Sequence, residues 1–461
     1  MKSIAIVGAG ITGLTAAFRL QQRGYAVTVY EAGSHVGGMI NTIQQDGFLV
    51  ECGPGTIVET SPQIGALVRD LGLESRRSHP GPNAQKNYIV RNGKPLPIPH
   101  SAFDMLATRL FSPTAKLRLL AEPFLSRAVG DENLADFVTR RLGREFLDYA
   151  INPFVAGVYA GDPKRLSVRH AFPKLHAVEQ RYGSLIVGKI RGARERRRRT
   201  EKSIETATRF SFDGGLRVLT DTLSKRLGAS IHLRSPVRVL TQTQSGWEVE
   251  SDHTNGPVEH SAVVLAAPAH QLAKIVCGSR EIVELAPLAG IHHPPVCVVA
   301  LGFRREDVEH PLDGFGMLIP EVEKRSILGT TFSSSLFPER APEGHVLLTN
   351  FIGGCRNSRL ALRDADTRRE ATLQDLRELL GVKGPPVFEH QVLQRYAIPQ
   401  YDVGFERFRK VIDHAEAEAP GLYFAGSYRD GISLGNSIVS GDCAAARVGM
   451  FMSETQVPSL L

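Results

Sequence analysis

Apolar and polar positions change period along this chain, and the opening block shows the change most sharply. Ser3–Val7 is a short run rich in β-branched residues, the composition of a strand buried on both faces of a parallel sheet. Leu14, Ala17 and Leu20 then recur at helical spacing and predict an amphipathic helix. Ala26–Tyr30 reads as a second strand. Residues 87–99 suggest a strand, an Asn-Gly turn and an extended Pro-rich exit. From 101 to about 206 the pattern is helical, with an amphipathic stretch at 134–150. The run FDGGL at 212–216 opens another helix through Leu227. Segments 231–240, 246–251 and 262–267 read as strands. The mixed segment from 270 to 395, with strands at 296–302 and 346–351, predicts a sheet over a substrate cavity. Residues 421–426 form a last strand, with Asn436 as N-cap of a helix over 437–451.

The glycines between these elements carry the first chemistry. Gly8, Gly10 and Gly13 complete G-x-G-x-x-G between strand and helix. The first allows the tight turn, the second lets backbone approach a pyrophosphate, and the third lets the helix pack on the strand. Glu31 closes the second strand, where a carboxylate accepts hydrogen bonds from a ribose. Strand, helix, strand and acid in this order predict dinucleotide binding. Ala32 and a second glycine pair, Gly37-Gly38, follow the acid directly, an arrangement that resembles FAD proteins of the glutathione-reductase type. The turn Gly53-Pro54-Gly55-Thr56 suits the approach of backbone to a flat ring. Together with the small residues of the last helix, these features point to FAD.

Composition is that of a soluble enzyme. The 461 residues give ample core, and no apolar run reaches the length of a membrane span. The N-terminus runs straight into the first strand, so no leader is expected. Five scattered cysteines without metal spacing suit a reducing cytoplasm and predict no metal site. The net charge of +7 is concentrated at 189–202, with eight basic residues against two acids. That run reads as a solvated helix face or loop, or as a patch for an anionic membrane surface. No aromatic platform is interleaved, so nucleic acid is not an expected partner.

The segment NPFVAGVYAGDPKRLSVRHAFPKL at 152–175 carries a more specific signal. So do FDGGL at 212–216, GFG at 314–316 with Ile319-Pro320, LFPERAP at 336–342 and IPQY at 398–401. Across nearly its whole length the chain resembles the flavin-dependent porphyrinogen oxidases, which make protoporphyrin or coproporphyrin III. The resemblance implies an α/β fold with a discontinuous Rossmann-type FAD domain (1–80, 207–270 and 396–461). It adds a largely helical, membrane-facing domain (81–206) and a mixed-sheet substrate domain (271–395). Gly8, Ala9, Gly10, Ile11, Thr12 and Gly13 are expected to hold the pyrophosphate. Glu31, Ala32 and the backbone of Val237 would meet the adenosine, and Gly37 and Gly38 the ribityl chain. Gly53 to Thr56 would approach the isoalloxazine, with Ile432, Ser433 and Leu434 along the flavin.

The chemistry implied is removal of six electrons from a porphyrinogen as three hydrides, with O2 as acceptor and H2O2 as product. Electron-rich pyrroles stabilise the cation left behind, so geometry matters more than a strong protein base. No catalytic acid or base is assigned; His170, His176, His292 and His293 read as packing or surface residues. Two positions depart from the family pattern. Asn87 stands where some members carry an arginine taken as a propionate anchor, with Lys86 as a substitute, and Gly435-Asn436 replaces an acid or amide pattern. The expected location is cytoplasmic, peripheral to the inner face of a membrane, with the next enzyme of haem synthesis as a candidate partner. Rival readings are a flavin amine oxidase, a carotenoid desaturase and a non-catalytic flavin scaffold. The first needs an aromatic cage, and the only tryptophan, Trp247, lies in another segment.

Overall fold

Five parallel strands carry the N-terminal fingerprint. Their order is Ile231–His232, Ala26–Tyr30, Ser3–Val7, Ala262–Leu265 and Leu422–Phe424, in a computed structural model. It describes residues 3–81, 84, 86–99, 101–127, 130–196, 207–252, 256–278 and 284–454, with backbone alone at 102 and 192–196. The central strands are apolar on both faces because helices and a second sheet cover them; Ile4, Ile6, Val263 and Val264 are fully buried. Parallel strands need crossovers, and Ile11–Gln22 supplies the first. The C-terminal helix, Leu434–Glu454, lies along it. A four-stranded sheet, Val258–His260, Trp247–Ser251, Val237–Gln242 and Val276–Gly278, covers the other side.

The predicted strand at 231–240 is two strands in two sheets. Arg234 adopts a left-handed conformation (φ 53°), and Pro236 has no N–H to offer a ladder. The chain therefore leaves the parallel sheet after His232 and joins the second sheet at Val237.

A seven-stranded mixed sheet forms the second half of the molecule. Its order is Phe388–Gln394, Val296–Arg304, His345–Gly353, Ile327–Phe332, Gly314–Leu318, Lys86–Arg91 and Lys94–Pro97. The last two form the Asn-Gly hairpin expected at the head of the helical segment. Backbone groups at a strand edge need partners, and the hairpin finds them by pairing in parallel with Gly314–Leu318. A small sheet of Ile57–Glu59, Thr208–Phe212 and Arg77–Ser78 lies between the halves.

Residues 102–196 are mostly helical. The stretch at 134–150 is broken: Leu134–Arg141 ends, Gly143 turns at φ 95°, and two short helical turns run from Arg144 to Ile151. Fully buried Arg141 donates to Glu179 at 2.7 Å and to Glu122 at 3.3 Å. Glu122 also accepts the Leu185 N–H at 2.9 Å, capping the helix Leu185–Arg196. A charge this deep is tolerated only when paired, so the network fixes how that helix sits on the turn Leu119–Phe124. The basic run ends this helix; residues 197–202 lie outside the described residues. Among the described residues no helix is long and apolar enough to cross a membrane.

Candidate functional site

The two glycine clusters meet. Gly8 turns at φ 105° and donates its N–H to Tyr30 O at 2.8 Å. A Cβ there would stand 2.9 Å from the backbone nitrogen of Ala267, just past the strand Ala262–Leu265. A Cβ on Gly13 would fall 1.9 Å from Gly8 O, so helix and strand can touch only through glycine. Gly37 donates to Ala9 O at 2.8 Å and bridges to Gly10, and a Cβ on Gly38 would stand 3.4 Å from Gly10 Cα.

Gly10 differs from these neighbours. A Cβ built on it meets nothing within 4 Å. The open space lies before the first turn of Ile11–Gln22, where the N–H groups of Ile11, Thr12 and Gly13 have no intrahelical acceptor. Free amides and the positive end of a helix dipole form an anion cradle. The donor set and the open volume fit a pyrophosphate.

Glu31 has been drawn inward. Its carboxylate accepts the N–H of Ala9 and the N–H of Gly33, each at 2.7 Å. A carboxylate has about four acceptor positions, so two remain for ribose hydroxyls. Its backbone accepts the Ser235 N–H at 2.7 Å, which brings the segment before Val237 alongside. Ala32 is exposed next to it.

The turn Gly53–Thr56 approaches the second glycine pair, since a Cβ on Gly53 would stand 2.3 Å from Met39 O. Gly55 faces open space. At the other end of the chain the last helix begins at Leu434, two residues before the predicted cap. Ser433 is the cap: its Oγ accepts the Asn436 N–H at 3.0 Å. Asn436 sits in the first turn instead, and a Cβ on neighbouring Gly435 would stand 2.9 Å from Val58 O. Ile432, Ser433 and Leu434 therefore lie one strand from the Gly53–Thr56 turn.

The IPQY run at 398–401 has a role that its sequence alone does not reveal. The Tyr401 hydroxyl accepts the Gly431 N–H at 2.9 Å and donates to Ser427 O at 2.5 Å, holding the loop that precedes Ile432. Burial keeps this phenol well above its ordinary range and therefore neutral. Gln400 donates to Tyr159 O at 2.8 Å, joining IPQY to the G-V-Y-A-G-D-P segment. Arg356 donates to Ile319 O at 2.8 Å and to Asn152 Oδ1 at 2.9 Å, joining that segment to the GFG strand. Arg340 of LFPERAP donates to Ser211 Oγ at 2.8 Å and lies 3.4 Å from Glu51, whose carboxylate accepts the Leu216 N–H of FDGGL. Burial raises the pKa of Glu51 and outweighs the attraction of Arg340. The segments that resemble one family are thus bonded in two groups, IPQY with 152–175 and Ile319, and LFPERAP with FDGGL.

Other candidates stand apart. Lys86 is ion-paired to Asp313, so its charge is already matched, while the side chain of Asn87 is half-buried. Trp247 is fully buried and donates to Pro420 O at 3.0 Å, a structural position. His293 donates to Ile291 O at 2.8 Å, and burial pushes it down to about 4. Burial also lowers His170 and His292, and His176 sits half-buried on the helix Pro173–Tyr182. Two surface cavities of about 410 and 530 Å³ lie elsewhere, one beside Arg305 and His345, the other beside Arg23 and Met450. No predicted cofactor residue lines either.

A family model described as flavin containing amine oxidoreductase matches residues 11–449. Protoporphyrinogen oxidase 2, chloroplastic/mitochondrial, of Arabidopsis thaliana is 38% identical, with 96% of this chain and 93% of that protein covered. Coproporphyrinogen III oxidase of Bacillus subtilis is 28% identical, with 96% and 97% covered. A crystal structure from Exiguobacterium, provisionally described as a protoporphyrinogen oxidase, superposes with a TM-score of 0.82 at 26% identity, covering 97% of this chain and 99% of that one. The chain belongs to the flavin-containing amine oxidoreductases, with the protoporphyrinogen oxidases among its relatives, and is an oxidoreductase whose cofactor is FAD.

Proposed function

We propose that this chain oxidises protoporphyrinogen IX to protoporphyrin IX, with O2 as the electron acceptor and H2O2 as the product. The observation that carries the reading is the bonding of IPQY on two sides, through Tyr401 to Gly431 of the loop before Ile432 and through Gln400 to Tyr159 of the G-V-Y-A-G-D-P segment. Bound FAD supplies the hydride acceptor. The chain's own part is to hold the pyrophosphate at Gly10 and to fix the loop at Gly431. His292 and His293 stay neutral near pH 7, and no proton relay is needed, because pyrrole N–H protons pass to water as the macrocycle aromatises. The second reading, coproporphyrinogen III, rests on the Bacillus relative. Specific activity measured side by side on the two porphyrinogens and on putrescine tests the assignment. Protoporphyrinogen IX should be fastest and the diamine inert; turnover of the diamine alone would overturn it.

The same reading includes a peripheral membrane site. Phe103, Leu106, Leu117, Leu120, Phe124 and Ile190 are each at least 67% exposed. They sit on elements that pack together: Lys116 Nζ donates to Leu106 O at 2.7 Å, and Glu122 caps the helix bearing Ile190. An apolar face of this kind beside a basic run suits the surface of an anionic bilayer. A cytoplasmic enzyme docked on that surface, near the next enzyme of haem synthesis, is the setting proposed.

A further inference from the structure

Arg209 lies on the strand Thr208–Phe212, between the cofactor cradle and the seven-stranded sheet. Phe210 and Phe212 point into the core and are fully buried. Strand alternation sends Arg209 and Ser211 to the opposite face, which is the face Arg340 meets at Ser211. The register pairs Arg209 with Val58, one strand on from the Gly53–Thr56 turn. Its guanidinium stands 5.3 Å from the ring centre of Phe315. Phe315 belongs to the strand Gly314–Leu318, which pairs with Lys86 at Gly314 and with Asn87 at Gly316.

The other cations around this junction are matched. Arg76 pairs with Asp213, Arg77 with Glu59, Arg340 with Glu51 and Lys86 with Asp313. Arg209 has no carboxylate within ion-pair distance among the described residues, and its guanidinium makes no hydrogen bond with them. Burial depresses its pKa, and no neighbouring charge acts to restore it. A half-buried guanidinium with five unused N–H groups carries a standing desolvation cost. A planar carboxylate received on that fork relieves it, and the aromatic ring beneath keeps the fork in place.

We propose that Arg209 binds a carboxylate side chain of the porphyrinogen on the guanidinium fork held beside Phe315. This rests on the porphyrinogen reading above. The test is steady-state kinetics of the FAD-loaded parent, R209Q and R209K on a porphyrinogen diacid and on its dimethyl ester. A charged hydrogen-bonded pair of this type should give R209Q a rise in KM for the diacid of about tenfold. The KM for the ester should match the parent's, and kcat should be little changed. R209K, which keeps the charge but not the fork, should fall between.

An R209Q with the parent's KM for the diacid overturns the proposal, and so does one that loses diacid and ester equally, since that marks a structural role. Should R209Q not retain flavin, the parent alone still decides: it must prefer the diacid to the ester. A parent inactive on both porphyrinogens refutes the function itself, a different outcome from an active parent indifferent to residue 209.

Discussion

Gly441 of the last helix lies against Thr12 of the first: a Cβ on Gly441 would stand 2.3 Å from the Thr12 carbonyl oxygen. The first and last helices meet at the first turn of Ile11–Gln22. Because that turn is the anion cradle, packing at Gly441 sets how squarely its amides point. Gly441→Ala should push the helices apart at a cost of about 1–3 kcal/mol. Thermal unfolding with and without added FAD checks this. The variant should melt several degrees lower and recover part of the loss when FAD is supplied in excess.

Gly10 and Gly13 should respond differently to the same substitution. A side chain on Gly10 meets no protein atom, so Gly10→Val should fold, yet its branches fill the space of the pyrophosphate. The expected product is colourless, with the far-ultraviolet spectrum of the parent. A side chain on Gly13 strikes the backbone at Gly8, so Gly13→Val should lose the fold itself. Absorbance and circular dichroism on both variants separate the two outcomes; a yellow Gly10→Val would show that the cradle has been misplaced.

Where the first strands, the glycine turn and the helix lie was legible because each depends on neighbours a few residues away. The strand period, the positive φ at Gly8 and the apolar stripe of Leu14, Ala17 and Leu20 are all local. The errors came where two local answers compete. Ser433 and Asn436 are both good capping residues three apart, and the cap goes to the one whose Oγ faces the other's N–H. The change of sheet at Arg234 hides inside a run that is β-forming on both sides. Gly143 breaks a stretch whose periodicity alone asks for one helix. The pairings of Arg340 with Glu51 and of Tyr401 with Gly431 join segments distant in sequence, and no spacing reveals them. The motifs that carry the family likeness were visible as strings, but their mutual bonding was not.

Acid should destabilise the fold in a defined window. His260 spans Ser3 Oγ and Tyr30 Oη at 2.9 Å each, and burial lowers it from 6.5 to about 4. His293 is lowered to about 4 as well. Above 6.5 neither folded nor unfolded chain protonates these rings, and their contribution to stability is complete. Between 6.5 and 4 the unfolded chain takes up protons that the folded one refuses, so stability falls as pH falls. Each ring can account for at most about 3 kcal/mol. Denaturant titrations across this range should show the loss, and His260→Gln should remove roughly half of the slope assigned to the pair. A profile flat from 7 to 4 would contradict the burial of both rings.

The apolar face at 103–124 should act through hydrophobic contact, and the basic run through long-range attraction. Replacing Leu120 and Phe124 by serine should weaken binding to acidic-lipid vesicles at every salt concentration. Replacing Arg196, Arg197, Arg198 and Arg199 by glutamine should weaken it mainly at low salt, because exposed charges are screened within about 10 Å at 0.1 M. Turnover of detergent-dispersed porphyrinogen should stay close to that of the parent in both. Vesicle flotation across a salt series distinguishes these contributions, and unchanged flotation in both variants would leave no role for this face at a bilayer.

The central claim is that a flavin held by these glycines takes electrons from a porphyrinogen and hands them to O2. An oxygen electrode read together with porphyrin fluorescence tests it most directly, on purified FAD-loaded protein given protoporphyrinogen IX without nicotinamide or quinone. Six electrons removed in pairs require about three O2 consumed, and as much H2O2 formed, for each porphyrin released. That ratio is the predicted result. Porphyrin formation that consumes no O2, or that begins only when a quinone or NAD(P)+ is added, would contradict it.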